Sequence, residues 1–274
     1  MWEKMCIDKK INIKSFITCF EKHIFHDEDF YFVGESHNFW EMVYITEGEW
    51  GISADDRVYK LTEGQVIFHK PMEFHKIWKN SNSVASCFVC SFELEGDHSF
   101  LEGNVFKVNH SQRGLIETIL FKIRKFPREE LYKLFLEGSS VGQFVANTLE
   151  NFFILLSEDS KRVDTVTDSS DAVLFNKSVN ILKSHIFDNI TTEKVASMCN
   201  VSMSKLNKLF ATYAGCGVHG YLIKLKVNEA ILLLSEGHSS KEISNKLGFN
   251  NQNYFSMTFK RETGFSPMNY KKKM

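Results

Sequence analysis

The chain has 274 residues and a formal net charge of −1. This length is too great for one ordinary domain and suits two. The charge is unevenly distributed, because the residues from Val173 onward carry 14 Lys and Arg against 6 Asp and Glu. A basic C-terminal part that follows an acidic N-terminal part favours contact between the C-terminal part and nucleic acid phosphates.

The sequence lacks the features of secreted and membrane proteins. No apolar stretch reaches membrane length, and no apolar core of a signal peptide follows Met1. The six cysteines are scattered, and Cys87 and Cys90 lie in a predicted strand, where residues three apart face opposite ways. We therefore expect a soluble cytoplasmic protein with reduced thiols, no membrane contact, no cofactor and no bound metal.

Short alternating apolar runs, separated by Gly and by Asp or Asn turns, occupy residues 30–94. The predicted strands are Trp40–Thr46, Trp50–Ala54, Val58–Leu61, Gln65–His69, His75–Trp78 and Val84–Phe92. Their number and regular spacing predict a small antiparallel β-barrel or sandwich.

Two histidines and one glutamate in this region merit attention as a shared site. His37 and Glu41 stand four apart, so on one strand they face the same way, and His75 lies in a later strand. Two imidazoles and a carboxylate can form a metal-binding facial triad. They can equally contact a small molecule or simply support the barrel wall, and the residues leave these alternatives open.

Two helices and a polar segment follow the β region. Residues 110–126 and 141–157 carry apolar stripes at helical spacing, and the second stripe is the wider one. The polar residues 159–171 then predict a linker between domains.

The first of two similar patterns in the C-terminal part begins at Thr191. Thr191 to Asn200 predicts a capped helix, with Asn200 where a turn residue with left-handed backbone is tolerated. The helix that follows has Leu206, Leu209 and Phe210 as its apolar stripe. Val218–Ser235 then predicts a long connecting helix.

The second pattern has clearer capping and turn residues. Ser239 or Ser240 can cap a short helix, Gly248 supplies the left-handed backbone that ends it, and Asn250 or Asn251 caps the next helix. Two short helices joined by such a turn have the geometry that fits a DNA major groove.

These patterns resemble those of the AraC/XylS family of bacterial transcription regulators over roughly residues 172–273. The residues that carry the C-terminal resemblance are Gly248, Phe249, Tyr254, Phe255, Phe259, Lys260, Gly264, Ser266, Pro267 and Tyr270. A second resemblance, to the cupin-type sensor domain of the same family, rests on His37, Glu41, Gly48, Gly64, Pro71 and His75.

The resemblance implies an α+β protein of two domains. Residues 1–105 would form a cupin-like antiparallel β-barrel that acts as the sensor, and residues 106–158 a helical dimerisation segment. Residues 159–171 would be the linker. Residues 172–274 would form an all-α DNA-binding domain with two helix-turn-helix units.

The same resemblance implies a DNA-binding transcription regulator, on family grounds an activator, and not an enzyme. Its partners would be double-stranded promoter DNA, RNA polymerase, a small-molecule effector and a second copy of the chain. Such a protein would be associated with the nucleoid when bound to DNA. Two alternatives remain: an effector-free regulator controlled by a protein partner, and a cupin-type metal enzyme with a DNA-binding appendage.

The resemblance also places candidate site residues. Base contacts are expected from the outward faces of the two reading helices, which carry Ser204, Asn207, Lys208, Gln252, Asn253 and Ser256. Phosphate contacts are expected from Lys205, Lys208, Lys260 and Arg261. Effector contacts are expected from His37, Glu41 and His75, with aromatic walls from Trp40, Tyr44 and Trp78.

Overall fold

A computed structural model of the protein describes residues 10–25, 30, 32–79 and 84–272. The described residues form two compact units, the first within Met1–Ala54 and Tyr59–Val166, the second within Asp55–Val58 and Thr167–Met274. The first is built on antiparallel sheets and the second on helices, which confirms a two-domain α+β protein. The segment after Met1, where we predicted no signal peptide, lies outside the described residues.

The strands lie in two sheets. They are β1 (Ile11–Ile24), β2 (Trp40–Glu47), β3 (Glu49–Ala54), β4 (Arg57–Thr62), β5 (Gln65–His69), β6 (His75–Lys79), β7 (Ala85–Gly96), β8 (Val105–Lys107) and β9 (Lys161–Val163). One sheet has the strand order β1-β7-β2-β5-β8-β9, and the other has the order β4-β3-β6.

Three helices follow in the N-terminal unit: α1 (His110–Ile123), α2 (Arg128–Leu136) and α3 (Ser140–Glu158). Alternate residues of β2 face two different cores, as the period of a strand requires. Met42 and Tyr44 pack in a core with residues of the helices, whereas Val43 and Ile45 pack in a core with residues of the smaller sheet. The larger sheet is thus the middle of three layers.

The expected barrel is not closed. Within the described residues the two sheets have no ladder in common, and the edges of the smaller sheet make only single bridges, Glu35 to His75 and Tyr59 to Val166. Closure is not needed to bury the larger sheet, because the helices cover its other face. The architecture is therefore a two-sheet sandwich with a helical layer.

The segment predicted as a linker, residues 159–171, is partly ordered into the N-terminal unit. β9 pairs with β8 through Val163 and Lys161, which face Val105 and Lys107. Helix α4 already begins at Ser170. The polar residues gave no sign of this strand, because a three-residue edge strand needs no apolar face.

The C-terminal unit consists of α4 (Ser170–Ser184), α5 (Thr192–Met198), α6 (Met203–Ala214), α7 (Val218–Ser235), α8 (Ser240–Lys246), α9 (Gln252–Thr263) and α10 (Pro267–Lys271). Helix α7 contacts α6, α8, α9 and α10. Its buried residues occupy most of its circumference, as expected for a central helix. Among the helices of the described ranges, none has the length and apolar character required to cross a bilayer.

The predicted capping and turn residues of this unit are confirmed. Ser239 caps α8 in a reciprocal capping box with Glu242, and Asn251 caps α9. Asn200 has a φ of 56° and Gly248 a φ of 64°, so both turns use the left-handed backbone that the sequence predicted.

Candidate functional site

The N-terminal turn of α6 is one of two surfaces that the sequence assigns to DNA. Its apolar stripe, Leu206, Leu209 and Phe210, is buried. Ser204 and Lys208 are exposed on the other side of the helix. The helix starts with a Ser202 cap that fixes its first turn.

Helix α9 repeats this arrangement. Phe255 and Phe259 are fully buried, whereas Gln252 and Asn253 are exposed in its first turn and Ser256 is half-buried. Helix-turn-helix proteins contact base edges with the N-terminal residues of the second helix. The exposed amides of α9 lie in the first turn of that helix.

Asn207 differs from the expectation. Its Oδ1 accepts a hydrogen bond at 3.2 Å from the backbone N–H of Val218, at the start of α7. Gly217 is the N-cap residue of α7 and has no side chain to make that bond. Asn207 therefore caps the next helix across the turn, and its acceptor oxygen is already in use.

The expected phosphate contacts are all exposed, and two of them make surface ion pairs. Lys205 Nζ lies 2.6 Å from Asp171 Oδ1, and Arg261 Nη2 lies 2.8 Å from Glu262 Oε1. Exposed pairs of this kind contribute little to stability, so DNA phosphates can replace the carboxylates at low cost.

In the N-terminal unit the structure brings His37, Glu41 and His75 together. His75 Nε2 lies 3.2 Å from Glu41 Oε1, and His37 Nε2 lies 3.7 Å from Glu41 Oε2. The rings of His37 and His75 are 4.9 Å apart in an edge-to-face arrangement. Two residues four apart and a third from a distant strand thus form one cluster.

Sequence reasoning missed a fourth member, Glu35. It exchanges two backbone hydrogen bonds of 2.9 Å with His75, and its Oε1 lies 3.9 Å from His75 Nε2. Glu35, His37 and Glu41 are separated by even numbers of residues, and that spacing was the available signal. One ligand atom from each of the four residues lies within 4.8 Å of the others, so this set could hold a metal ion.

The carboxylate of Glu41 is buried and held in place. Ser91 Oγ donates to Glu41 Oε2 at 2.8 Å across the β2–β7 pair. Burial alone would raise the pKa of Glu41, but the adjacent His37 and His75 imidazoles hold that pKa well below its usual range. Glu41 is therefore a carboxylate throughout the neutral range.

The buried imidazoles differ in their protonation. Burial would lower the pKa of His75, but the Glu41 carboxylate outweighs it and raises that pKa. His69 stacks on His75 at 4.2 Å, and its Nδ1 donates to the Glu73 carboxylate at 2.9 Å. Burial first and the charge of His75 second lower the pKa of His69, so its ring favours the neutral form.

The three expected aromatic walls do not reach this cluster. Trp40 and Tyr44 lie on the opposite face of β2, in the core under the helices. Trp78 faces Gly51 on the adjacent strand, on the side of β6 opposite the partly buried Ile77. Trp40 instead lines a separate surface depression of about 430 Å³ together with His98.

Comparisons with known proteins agree with both halves of this description. The family model described as AraC-like ligand binding domain matches residues 20–104, and the one described as helix-turn-helix domain matches residues 195–273. The first match covers the sheets that hold the cluster, and the second covers α6 and α9.

Similar proteins span most of the chain. The HTH-type transcriptional regulator YfiF of Bacillus subtilis, itself described as uncharacterized, is 29% identical over 84% of this chain and 76% of its own length. The HTH-type transcriptional activator RhaR of Enterobacter sp. (strain 638) is 23% identical over 88% of this chain and 87% of its own.

Among solved structures, ToxT from Vibrio cholerae O395 is 16% identical, with a TM-score of 0.39 over 94% of this chain and 97% of that chain. Together, the two family models and the relatives that span both units place this chain in the AraC family of DNA-binding transcription regulators.

Proposed function

We propose that this chain is a transcription activator that reads promoter DNA with two helix-turn-helix units, formed by α5–α6 and α8–α9. The observation that carries the proposal is the repeated design of α6 and α9. Each starts with a side-chain cap, buries an apolar stripe and exposes polar residues in its first turn. Helix α7 contacts both, so it can hold the two reading helices at a fixed separation.

Different residues should determine sequence-specific and non-specific DNA binding. Gln252→Ala should weaken binding to the preferred sequence by roughly 1–3 kcal/mol and leave non-specific binding nearly unchanged, because a bidentate amide contact is lost. Lys208→Ala should weaken both kinds of binding and reduce the salt dependence by about one phosphate contact. Fluorescence anisotropy with full-length protein on selected and scrambled duplexes measures both.

The outcome that would contradict this assignment is equal weakening of all sequences by Gln252→Ala. A matched control is Gln143→Ala, which changes the same side chain at an exposed position of α3. It should leave both affinities unchanged.

We propose further that the N-terminal unit senses a small molecule at the cluster of His37, Glu41 and His75. Support comes from the burial of these polar groups in the region that matches a ligand-binding family model. A ligand changes the regulator's equilibrium only by its differential affinity for two states, typically about 1–3 kcal/mol. RNA polymerase would be the downstream partner, and the cytoplasm, with its nucleoid, the place of action.

Glu41→Gln should alter the effector response in a reporter assay while the purified variant still binds non-specific DNA like the unmodified protein. A thermal melt checks that the variant is folded. If a folded Glu41→Gln protein responds to effector as the unmodified protein does, the sensor site does not include Glu41 and lies elsewhere. A purified protein that shows no response to any effector would instead favour the alternative of a regulator controlled by a protein partner.

A homodimer is the proposed assembly, and the helical segment is its proposed interface. Phe121, Tyr132 and Leu136 are large apolar side chains that are more than half exposed on α1 and α2. Exposed apolar groups that lie close together often mark association surfaces. Leu136→Glu should raise the dimer dissociation constant in sedimentation equilibrium, whereas Leu232→Glu, exposed in the other unit, should not.

A further inference from the structure

We propose that the N-terminal unit binds one divalent first-row transition-metal ion. Its ligands are Glu35, His37, Glu41 and His75. The inference deepens the sensor proposal and rests on it only for its regulatory meaning. It also departs from the expectation drawn from the sequence, which gave the protein no metal.

Each histidine is already oriented as a metal ligand. His37 Nδ1 lies 3.0 Å from the carbonyl oxygen of Phe39, and His75 Nδ1 lies 3.2 Å from that of Glu73. A carbonyl oxygen only accepts, so both Nδ1 atoms carry the proton and the Nε2 atoms face the cluster. Metal-bound histidines characteristically donate their other ring N–H to a carbonyl or carboxylate in this way.

Both Nε2 atoms are buried and have no hydrogen-bond partner in the described part of the chain. The side chains of His37 and His75 are only 12% and 3% exposed. A buried polar atom without a partner costs free energy, because it has given up its hydrogen bonds to water and gained none. A metal ion in the cluster would satisfy both nitrogens at once.

An ion pair that only stabilises the fold explains fewer of the contacts in this cluster than a metal site does. A protonated His75 beside Glu41 would explain one close contact, at 3.2 Å. It would leave His37 Nε2 without a partner, and it would leave Glu35 directed at an imidazole that already has a counter-ion. Two carboxylates match the double charge of a divalent ion.

The distances and donor types indicate the class of ion. Ligand atoms about 2.0–2.2 Å from zinc lie at most roughly 4.4 Å apart. The paired distances of 3.2, 3.7 and 3.9 Å fall within this limit, and the 4.8 Å bound on the whole set exceeds it slightly, by an amount that a small side-chain rotation can close. Imidazole nitrogens with carboxylates favour zinc, iron, nickel or copper over calcium and magnesium, which take oxygen ligands.

The cluster is open on one side only. Glu35 is the exposed member, with 51% of its side chain accessible, so its rotation can admit an ion and complete the ligand set. Backbone hydrogen bonds fix the other members, including one from Met72 N–H to the His37 carbonyl oxygen at 2.6 Å. The site is thus largely formed before the ion arrives.

Zn²⁺ and Co²⁺ are the probes for the test. Full-length protein, stripped with a chelator, should bind one equivalent of Zn²⁺ in competition with a chromophoric chelator. Co²⁺ should give visible absorption bands without the near-ultraviolet charge-transfer bands of thiolate ligands. His37→Gln should bind Zn²⁺ at least 10–100-fold more weakly, because even the loss of a supporting partner of a ligand has this effect.

The matched control is His110→Gln, which changes an exposed histidine at the start of α1 and should bind like the unmodified protein. Glu35→Gln offers a second test on a half-exposed residue, and its affinity should also fall. Circular dichroism confirms that each variant is folded. No stoichiometric binding, thiolate bands, or a folded His37→Gln protein with unchanged affinity would each overturn the inference.

Failure here is distinguishable from failure of the sensor proposal. If the protein binds no Zn²⁺ but Glu41→Gln abolishes its response to an organic molecule, the sensor proposal stands and the metal site is rejected. If the protein binds Zn²⁺ tightly but promoter activity is the same with and without the ion, the metal site stands and its proposed regulatory role is rejected.

Discussion

Asn207 occupies an exposed position on α6, yet its side chain serves the backbone of the next helix. Asn207→Ala removes the acceptor for the Val218 N–H, so we expect the free energy of unfolding to fall by roughly 0.5–2 kcal/mol. Specific and non-specific DNA affinity should change by the same factor. Urea unfolding and anisotropy measure the two effects, and Ser204→Ala, exposed on the same helix, is the control for the stability measurement alone.

A selective loss of affinity for the preferred sequence in Asn207→Ala, without loss of stability, would return Asn207 to the group of base contacts. It would also show that the capping bond is given up when DNA binds.

Glu21 on β1 provides a pH-dependent test of the N-terminal unit. Arg124 donates to it twice, from Nε and Nη2, each at 2.7 Å. Burial alone would raise the pKa of Glu21, but the hydrogen bonds and charge of Arg124 hold it below its ordinary value. Stability from the ionised form is therefore present above the ordinary pKa and is lost as the pH falls through the lowered one.

Glu21→Gln should reduce the free energy of unfolding at neutral pH by roughly 1–2 kcal/mol, limited by the solvent exposure of Arg124. The difference from the unmodified protein should shrink as the pH falls through the lowered pKa. Glu95→Gln, in the exposed pair with Lys14, should show little effect at any pH. A Glu21→Gln deficit that persists unchanged in acid would contradict the account.

At the scale of elements, the turn between α8 and α9 depends on Gly248. Its φ is 64°, and a Cβ there would lie 2.7 Å from Asn189 Oδ1. Gly264 has a φ of 78° with no described atom within 4 Å of such a Cβ, so it is a matched control. Both substitutions by Ala should cost about 1–2 kcal/mol for the backbone, and Gly248→Ala should cost more.

Chemical unfolding of the two variants compares these costs. Equal losses would mean that the Asn189 side chain moves freely aside. A smaller loss in Gly248→Ala than in Gly264→Ala would show that the turn tolerates a side chain and would weaken its proposed role in positioning α9.

The elements themselves were largely predictable where the signal was local. The predicted bounds of β5 and α7 coincide with the observed ones, because turn residues and helical spacing mark their ends. β1 gave no such signal. It pairs with β7 through two register shifts, between Ile13 and Ser15 and between Phe16 and Thr18, and these interrupt the alternation of a strand.

The candidate site was predictable in part for the same reason. The even spacing of Glu35, His37 and Glu41 pointed to a shared site, but β2 begins only at Trp40 and residues 38 and 39 form a bend, so the fold and not the period of a strand brings His37 to Glu41. Within β2, period two places Trp40 and Tyr44 on the face opposite Glu41, so their exclusion from the cluster was available in the spacing. The approach of His75 depends on a pairing between distant segments, and its geometry required the fold.

At the scale of the whole molecule, the charge distribution and the architecture both indicate that the two units have different functions. The helical unit carries the net positive charge, with 14 Lys and Arg against 6 Asp and Glu from Val173 onward, where sequence-independent attraction to phosphates is needed. The buried titratable cluster lies in the β unit, which matches the ligand-binding family model. The central claim is that two helices of the helical unit, α6 and α9, read adjacent major grooves.

Guanine methylation protection by the full-length protein, on a duplex selected from a random pool, tests that claim most directly. N7 of guanine lies in the major groove, so each reading helix should protect one group of bases. The account predicts two protected groups per chain on one face of the duplex, about one helical turn, ~34 Å, apart, with Gln252→Ala losing one group. A single protected group per chain, or no protection of guanine N7 at all, would contradict it.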